Sequence, residues 1–421
     1  MPDLSRCRSQ FPSLGRVVGG RPVAYLDGPG GTQVPAGVIA AVTGYYQTSN
    51  ANAHGVFASS LETDAVVAGA RAAMAALLGA PGPATISFGQ NMTTLAFSLA
   101  HALARRVRPS DEVVVTDLDH DANVTPWRVL AERGAVLRHV PVRPDATLDM
   151  DAFRALVGER TRLVAVGYAS NAVGTVNDLA TIRAWTREVG ALLAVDAVHW
   201  VPHGVADVTA LDPDFLFCSA YKFFGPHVGV LYSRPGALDA LPTDRLRPQR
   251  DAAPERVETG TLNHAALAGV TAAVGFIAGL APAPPADLAP AAPADSDLRE
   301  RLVAAMTAVY DGERRLLERL WRGLGELPGV RRFGPEVGKA QRAPTVSFTV
   351  DGVHPDEVAA RLAAAGVYVW SGNFYAVTIV ERLGLAASGG LVRAGMAPYT
   401  TEEEVDRLLA VVAGLPAPVP R

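Results

Sequence analysis

Short apolar segments alternate with amphipathic segments from residue 86 to residue 232, and this alternation constrains the fold more than any other feature of the sequence. The apolar segments are typical of buried strands, and the segments between them carry apolar residues at helical spacing. Strands that alternate with helices form βαβ units around a mainly parallel sheet, so we predict an α/β fold. The predicted strands are 86–88, 112–116, a segment from 136, 163–167, 192–195, 215–217 and 229–232, and the predicted helices between them are 94–106, 123–133, 149–158 and 178–189.

The rest of the chain predicts a second, smaller unit, because 421 residues are more than one hydrophobic core usually supports. Residues 11–60 are predicted to be irregular apart from a short strand near 23–26, and a helix is predicted at 61–79. A Pro/Ala-rich segment at 281–297 is followed by a long predicted helix at 298–326. The rest of the chain then shows the mixed helix and strand pattern of an α+β unit. The predicted organisation is an N-terminal arm at 1–20, a large domain at 21–280, a linker or loop at 281–297 and a small C-terminal α+β domain at 298–421.

Composition excludes several classes of protein. A net charge of −4 gives no electrostatic basis for binding nucleic acid or an anionic membrane. Cys7 and Cys218, the two cysteines, lie too far apart for a CxxC motif or a metal-ligand pair. The N-terminus has no apolar signal segment, and no run of about 18 apolar residues occurs. We expect a soluble, cytoplasmic protein with no metal site.

Polar residues follow the predicted strands at the point where each one ends. In open parallel sheets, ligands bind beyond the carboxyl ends of the strands. One His, one Asn, one Asp, one Ser and one Lys are therefore expected at the same edge. These polar segments are 117–123, 168–171, 196–199 and 219–222.

Lys222 is the most informative of these residues, because the chain has two lysines, Lys222 and Lys339, against 36 arginines. An arginine stays protonated, whereas a lysine amine can lose its proton and condense with an aldehyde. The turn 89–94 between a strand and a helix is typical of a phosphate site. Lys222, the Asp196 carboxylate, the His120 ring and this turn together indicate pyridoxal phosphate (PLP) binding. The alternatives are a surface lysine spared by chance, a strand-end turn at Asp196 and a polar turn at His120.

Motifs in the same order resemble those of the class V aminotransferases, specifically the cysteine desulfurase-like branch. The resemblance covers roughly residues 20–415. It implies PLP-dependent transferase fold type I, with a large, mainly parallel sheet domain and a smaller α+β domain. The matching motifs are Tyr25-Leu-Asp-Gly-Pro-Gly-Gly-Thr32, Asn50-Ala-Asn-Ala-His54, Asp119-His-Asp-Ala-Asn-Val-Thr-Pro-Trp127, Ser170-Asn-Ala-Val-Gly-Thr-Val176, Val195-Asp-Ala-Val-His199, Ser219-Ala-Tyr-Lys-Phe-Phe-Gly-Pro226, Glu258-Thr-Gly-Thr261, Val392-Arg393 and Pro398-Tyr-Thr-Thr-Glu-Glu-Glu404.

The resemblance implies a role for each matching residue. Lys222 would form the Schiff base and move protons at Cα, and His120 would stack on the pyridine ring. Asp196 would pair with the ring nitrogen, while His199 would stand near the phenolic oxygen, where the family usually has glutamine. The remaining cofactor contacts implied are Asn171 at that oxygen, Ser219, Asn91, Met92 and Thr93 at the phosphate, and Thr261 at the phosphate of a partner subunit.

The substrate contacts follow from the same resemblance. Arg393 would clamp the substrate carboxylate, a bidentate task suited to guanidinium, with Asn171 as a second contact. Gly28 and His54 are assigned to substrate binding through the loops around 28–57, which with 371–381 would form the side-chain pocket. The role of Thr261 implies a homodimer with shared active sites. Tyr221 stands where the family usually has a histidine, which puts one phosphate contact in doubt.

A missing thiol is the main departure from the family pattern. Desulfurases carry a cysteine on a mobile loop after the strand predicted at 367–370, and here that loop reads Ser371-Gly-Asn-Phe-Tyr-Ala-Val377. We expect Cys218 to point into the sheet and Cys7 to lie on a mobile N-terminus, so no persulfide is expected at the usual position.

Function is therefore predicted as that of a PLP-dependent enzyme that forms an external aldimine with an amino acid and acts as a C–S lyase or other β-eliminating enzyme. Epimerisation and transamination by the same scaffold stay open. Two further alternatives also stay open: a cysteine desulfurase that uses an atypical thiol, and a PLP-binding accessory protein without catalytic activity. A nicotinamide-dependent oxidoreductase is disfavoured, because no GxGxxG motif follows the first strand.

Overall fold

The computed structural model describes residues 4–282 and 296–415. Its α-helices are Ala36–Thr48 (α1), Ala58–Leu78 (α2), Met92–Ala104 (α3), Arg128–Ala131 (α4), Met150–Leu156 (α5), Leu179–Val189 (α6), Val208–Leu211 (α7), His264–Gly279 (α8), Ser296–Glu326 (α9), Pro355–Ala364 (α10), Val377–Arg382 (α11) and Glu402–Ala413 (α12). Its strands are Val17–Val18 (β1), Arg21–Pro22 (β2), Ala24–Tyr25 (β3), Ile86–Gly89 (β4), Glu112–Thr116 (β5), Val136–Val140 (β6), Thr161–Gly167 (β7), Leu192–Asp196 (β8), Phe215–Ser219 (β9), Gly229–Ser233 (β10), Val330–Phe333 (β11), Thr345–Val350 (β12), Val367–Tyr368 (β13), Trp370–Gly372 (β14) and Leu391–Gly395 (β15).

A seven-stranded sheet in the order β4-β10-β9-β8-β7-β5-β6 forms the centre of the larger unit. Strands β9, β8, β7, β5 and β6 run parallel, and β10 is antiparallel to both β9 and β4. Because side chains alternate between the two faces of a strand, Val114 joins one apolar cluster while Val113 and Val115 join the other. Helices cover both faces of the sheet, so its strands are apolar on both sides. The predicted α/β fold is confirmed.

The smaller unit is built on the antiparallel sheet β11-β12-β15-β14. Its core includes residues of α9, α10 and α12, together with Ala24 and Leu26 from near the N-terminus. Strand β3 reaches this unit because it pairs in parallel with β13. A segment assigned from sequence to the large domain thus packs against the small one, and the domain boundaries stay a prediction.

The N-terminal residues are held in place, which corrects the expectation of a mobile end around Cys7. Phe11 is 2% exposed and contacts the rings of Phe224, Phe276 and Tyr399. Burying a side chain of this size contributes about 1.5–3 kcal/mol toward the entropy cost of ordering the arm. Arg8 adds an ion pair with Glu404, at 2.8 Å, and Cys7 is itself buried.

Two other expectations about local structure are wrong. The segment predicted to be irregular contains α1, which packs along α8 and whose Ala/Val-rich sequence has no clear polar face even though most of its residues are exposed. The helix predicted at 123–133 is reduced to the 3₁₀ turns Asp121–Asn123 and Thr125–Trp127 followed by α4. Pro126 has no N–H to donate and restricts the residue before it, which prevents a continuous helix.

The predicted linker at 281–297 lies mostly outside the described residues, and helix α9 begins at Ser296 rather than at 298. Within the described ranges, every helix is too short or too polar to span a lipid bilayer.

Candidate active site

The carboxyl ends of β5, β7, β8 and β9 meet at one edge of the sheet and bring four predicted polar segments together. They line a cavity of about 80 Å³ that opens into an outer cavity of about 510 Å³. Lys222, His120 and Asn171 line both cavities. We call Asp119, Asp196, Ser219 and Lys222 the floor of this cleft.

Lys222 closes the 3₁₀ turn Ala220–Lys222 directly after β9. Its Nζ donates hydrogen bonds to the carbonyl oxygens of Pro29 and, at 3.0 Å, of Gly30. Burial, reinforced by the charge of Arg393, lowers the pKa of the Lys222 amine to about 7. A substantial fraction of this amine is therefore unprotonated near neutral pH, which is the form that attacks a carbonyl carbon.

Two carboxyl groups occupy the floor, and their environments differ. Asp196 ends β8, and its Oδ1 accepts a hydrogen bond from the backbone N–H of Val198, at 2.9 Å. Burial raises the pKa of Asp196 to about 6. Asp119 accepts from the N–H of Gly167, at 2.8 Å, and from Asn123 Nδ2, at 3.1 Å. Burial and the nearby Asp196 raise the pKa of Asp119 to about 8, so Asp196 is the floor carboxylate that is charged at pH 7.

The N-terminus of α3 faces the same cavity. Asn91 caps this helix by accepting a hydrogen bond from the N–H of Thr94, at 2.9 Å, and the N–H of Met92 donates to Ser219 Oγ, at 3.1 Å. Asn91, Met92, Thr93 and Ser219 all line the inner cavity. The positive end of the helix dipole at this N-terminus favours a bound phosphate here.

Two histidines flank the cavity in neutral form. Burial, with the Lys222 amine nearby, lowers the pKa of His120 to about 4, and its Nδ1 accepts from the N–H of Ala122, at 3.0 Å. Burial also lowers the pKa of His199, whose Nε2 lies 2.9 Å from Thr345 Oγ1. Both imidazole rings are therefore uncharged at neutral pH and can contact an aromatic ring without an added charge.

Arg393 stands at the inner end of the outer cavity and is 3% exposed. Its guanidinium donates to Asp27 Oδ1, at 3.1 Å, and to the carbonyl oxygen of Asn171, at 3.2 Å. Within the described residues, Arg393 Nε and Asn171 Oδ1 are buried without a hydrogen-bond partner. Buried polar atoms are nearly always paired in folded proteins, so these two atoms indicate the place of a polar ligand.

The segment 370–376 covers the outer cavity, and we call it the roof. Phe374 lies against Arg393, with the guanidinium carbon 4.4 Å from the ring centroid. Tyr375 stacks on His120, with ring centroids 5.6 Å apart and an interplanar angle of 19°. The roof is fastened to the large sheet by hydrogen bonds from Asn171 Nδ2 to the Phe374 carbonyl, at 2.9 Å, and from the N–H of Asp121 to the Tyr375 carbonyl, at 2.7 Å.

Three predicted contacts do not line this cleft within one chain. His54 and Thr261 line a separate cavity of about 1080 Å³, where the His54 Nδ1 pairs with Asp64, at 3.1 Å. Gly28 packs its backbone against β15 and the residue after it, where a Cβ would lie 2.6 Å from the Met396 carbonyl oxygen. Substrate roles for His54 and Gly28 stay predictions.

Asp27 and Asp119 were missed as site residues in the sequence, whereas Phe374 and Tyr375 lie in the loop 371–381 that was expected to form the side-chain pocket. Asp119 stands next to His120 after β5, so its position at a strand end was a usable signal. Asp27 pairs with Arg393 across 366 positions of sequence, and only the folded chain reveals that contact.

Comparison with known proteins identifies the family. The family model described as Aminotransferase class-V matches residues 24–283 and 302–408. The chain belongs to this family. Its members are PLP-dependent enzymes, and this chain is one of them.

Relatives of this class V enzyme include proteins named cysteine desulfurase. One from Cronobacter sakazakii is 32% identical over 424 residues, covering 97% of each chain. Another from Serratia proteamaculans is 30% identical over 428 residues, again covering 97% of each chain. The apo cysteine desulfurase of Thermococcus onnurineus NA1 has a TM-score of 0.85 and 27% identity over 98% of each chain. The cysteine desulfurase CsdA of Escherichia coli, in an S-sulfonic acid form, has a TM-score of 0.81 and 28% identity, again over 98% of each chain.

The cleft fits the cofactor of this family. A PLP site needs a lysine amine for the Schiff base, a carboxylate beside the ring nitrogen, an aromatic side chain that stacks on the pyridine ring and a phosphate-binding site. Lys222, Asp196, His120 and the N-terminus of α3 with Ser219 supply these groups around one cavity. A protonated pyridine nitrogen would also offset the burial of the Asp196 carboxylate.

Proposed function

We propose that this enzyme is a C–S lyase that eliminates a thiol from the Cβ of an S-substituted cysteine, without a protein persulfide. The observation that carries the proposal is the burial of both cysteines, neither of which lines the cleft. Cys218 is 0% exposed within β9, where burial raises the pKa of its thiol. Cys7 lies in the N-terminal arm and is 3% exposed. A thiolate is the form that attacks sulfur, so a buried thiol with a raised pKa is a poor acceptor.

Bound PLP would supply an electron sink for negative charge at the substrate Cα. Asp196 would hold the ring nitrogen, and His120 would cover the ring face. Arg393, with its unpaired Nε, would bind the substrate carboxylate. These contacts would fix the amino acid with its Cα beside Lys222.

Lys222 would then take the Cα proton, and the Cβ–S bond would break with its electron pair leaving on sulfur. A thiolate that takes up a proton leaves as a thiol. The overall reaction consumes one water and releases a thiol, pyruvate and ammonium, so it needs no oxidant or reductant. The neutral His120 ring is the second group at the cleft able to carry a proton.

A homodimer with shared sites is the second part of the proposal. His54 and Thr261 line a large cavity away from Lys222 of their own chain, which suits residues that complete the site of a partner. Exposed apolar side chains surround this region, including Tyr46, Phe57 and Leu61, at 59%, 56% and 57% exposure. Large exposed apolar patches of this kind mark association surfaces. Sedimentation of the holoenzyme should give twice the mass of the chain.

Cysteine desulfuration is the second candidate, because relatives of 30–32% identity carry that name. The chain offers a sharp test, since it has only two cysteines. A Cys7→Ala/Cys218→Ala variant should retain its cofactor and release pyruvate and thiol from an S-alkyl cysteine at the wild-type rate. With cysteine as substrate, a wild-type protein that releases alanine and carries a persulfide, both lost in this variant, would instead support desulfuration. Pyruvate formation separates elimination from racemisation and transamination in the same assay.

A further inference from the structure

The outer cavity is larger and more aromatic than a small amino acid requires. Its volume is about 510 Å³, within the range of sites for drug-sized ligands. Phe97, Trp370, Phe374 and Tyr375 line it, together with Pro126. Lys222 and Arg393 lie at its inner end, where the cofactor site and the Arg393 guanidinium would bind the amine and carboxylate of an amino acid. The aromatic part of the cavity is therefore left for the substrate side chain.

The two outermost rings have free surface at this cavity. Tyr375 is 72% exposed and Trp370 is 56% exposed, although large aromatic side chains are usually mostly buried. One face of Tyr375 rests on His120, which fixes the plane of its ring. Aromatic rings prefer offset-stacked or edge-to-face contacts with other rings. The exposed surfaces of Tyr375 and Trp370 are suited to a flat partner.

The backbone holds these rings in a fixed arrangement. Phe374 and Tyr375 have φ of 56° and 58°, so two successive residues with side chains adopt the left-handed conformation. Such conformations cost of order 1–3 kcal/mol each and persist only where surrounding contacts enforce them. Here both carbonyl groups accept hydrogen bonds from the large sheet, and Asn373 Oδ1 accepts from the N–H of Tyr375, at 3.1 Å. The roof is thus preorganised, which lowers the entropy lost on binding.

We propose that the outer cavity selects amino acids whose Cβ substituent carries a planar aromatic or heteroaromatic ring, which stacks on Tyr375 with Trp370 as a second wall. This inference rests on the proposed function in one respect: it takes the end of the ligand bound at the inner end of the cavity to be the amine and carboxylate of an amino acid. An S-aryl or S-heteroaryl cysteine belongs to this class. Cysteine itself would leave the aromatic part of the cavity unfilled.

Binding of unreactive carboxylates tests the inference separately from catalysis. 3-Phenylpropionate and 3-cyclohexylpropionate have similar bulk, but only the first is flat, and neither has an amine that could react. Calorimetry with the holoenzyme should show 3-phenylpropionate binding about 3- to 10-fold more tightly, as expected for one aromatic contact of about 0.5–1.5 kcal/mol. Tyr375→Leu should remove the preference by weakening only the flat ligand, whereas Tyr375→Phe should retain it.

Equal affinity for the two carboxylates, no binding of either, or a preference that survives in Tyr375→Leu would overturn the inference. The visible absorbance of bound PLP, recorded on the same samples, shows that each variant is folded and loaded. A protein that takes up no PLP contradicts the proposed function instead. If the PLP-loaded protein prefers 3-phenylpropionate but releases no pyruvate, the aromatic binding site is supported and only the proposed lyase activity is contradicted.

Discussion

The floor and the roof of the cleft are built in opposite ways. The floor residues follow buried strands of one sheet and carry charged groups whose pKa values are shifted by burial. The roof comes from the smaller unit, has two residues with left-handed backbone and presents exposed aromatic rings. A sheet edge fixes groups to within a fraction of an ångström, which suits chemistry that is common to a family. A fastened loop can change its side chains without disturbing that chemistry.

This contrast predicts that changes in the floor affect the cofactor and that changes in the roof affect the substrate. The largest effect is expected for Lys222→Ala. The variant should lack the absorbance band of the lysine–PLP Schiff base, and borohydride reduction should not attach the cofactor to it. Lys339→Ala is the matched control, because Lys339 is exposed and is the only other lysine in the chain. Mass spectrometry of reduced peptides identifies the labelled residue, and a label on Lys339 would contradict the assignment.

The two floor carboxyl groups should differ in their contribution to cofactor affinity. Asp196→Asn should weaken PLP binding by about 10- to 100-fold, since it replaces a charge-assisted hydrogen bond of about 1.5–3 kcal/mol. Asp119→Asn should weaken it less, because the raised pKa of Asp119, about 8, already keeps that carboxyl protonated at pH 7. Equilibrium titration of each apo-variant with PLP measures both effects. The opposite ranking would move the role of ring-nitrogen partner to Asp119.

The floor should also give cofactor uptake a distinctive pH dependence. The amine of Lys222 attacks in its unprotonated form, and its pKa is lowered from 10.5 to about 7. The rate of PLP uptake should therefore rise about tenfold per pH unit below pH 7 and level off above it. Nα-acetyl-lysine, mixed with PLP under the same conditions, should continue to accelerate up to about pH 10. A protein rate that parallels Nα-acetyl-lysine would show that burial does not lower this pKa.

The smallest effect is expected in the roof. Asn373→Ala removes the side-chain acceptor for the N–H of Tyr375 without touching the floor. Loss of one hydrogen bond of about 0.5–1.5 kcal/mol should speed amide hydrogen exchange in residues 374–376 by about 2- to 10-fold. Asn373→Asp retains an acceptor and should exchange like the wild type. The affinity for PLP should not change in either variant. If Asn373→Ala alters both the hydrogen exchange of the roof and the affinity for PLP, the floor and the roof are not independent.

The floor was largely predictable from sequence. Lys222, Asp196 and Ser219 each stand where an apolar strand ends, and the rules for parallel sheets place such residues at one edge. Asp119 was accessible by the same argument but was overlooked in favour of His120. The raised pKa of Asp119 depends on its burial and then on the nearby Asp196, and no local sequence pattern encodes either.

Helix α1 and the turns at 121–127 were mispredicted for different reasons. α1 has no clear polar face, so its sequence lacks the apolar/polar periodicity that predicts a helix, although the helix packs along α8. The turns follow from Pro126 together with hydrogen bonds among Asp119, Asn123 and Trp127, which satisfy polar groups outside a regular helix.

The sequence by itself determined the α/β sheet, the family and the lysine-centred floor, because strand alternation and short motifs are local in the chain. The tertiary structure alone decided how the roof meets the floor. The hydrogen bond from Asn171 Nδ2 to the Phe374 carbonyl joins residues 203 positions apart. The stacking of Tyr375 on His120 joins the smaller unit to the larger one. Contacts over such separations depend on how complete units pack together. Only the folded chain therefore shows that Phe97, Trp370, Phe374 and Tyr375 line one cavity with Lys222 and Arg393.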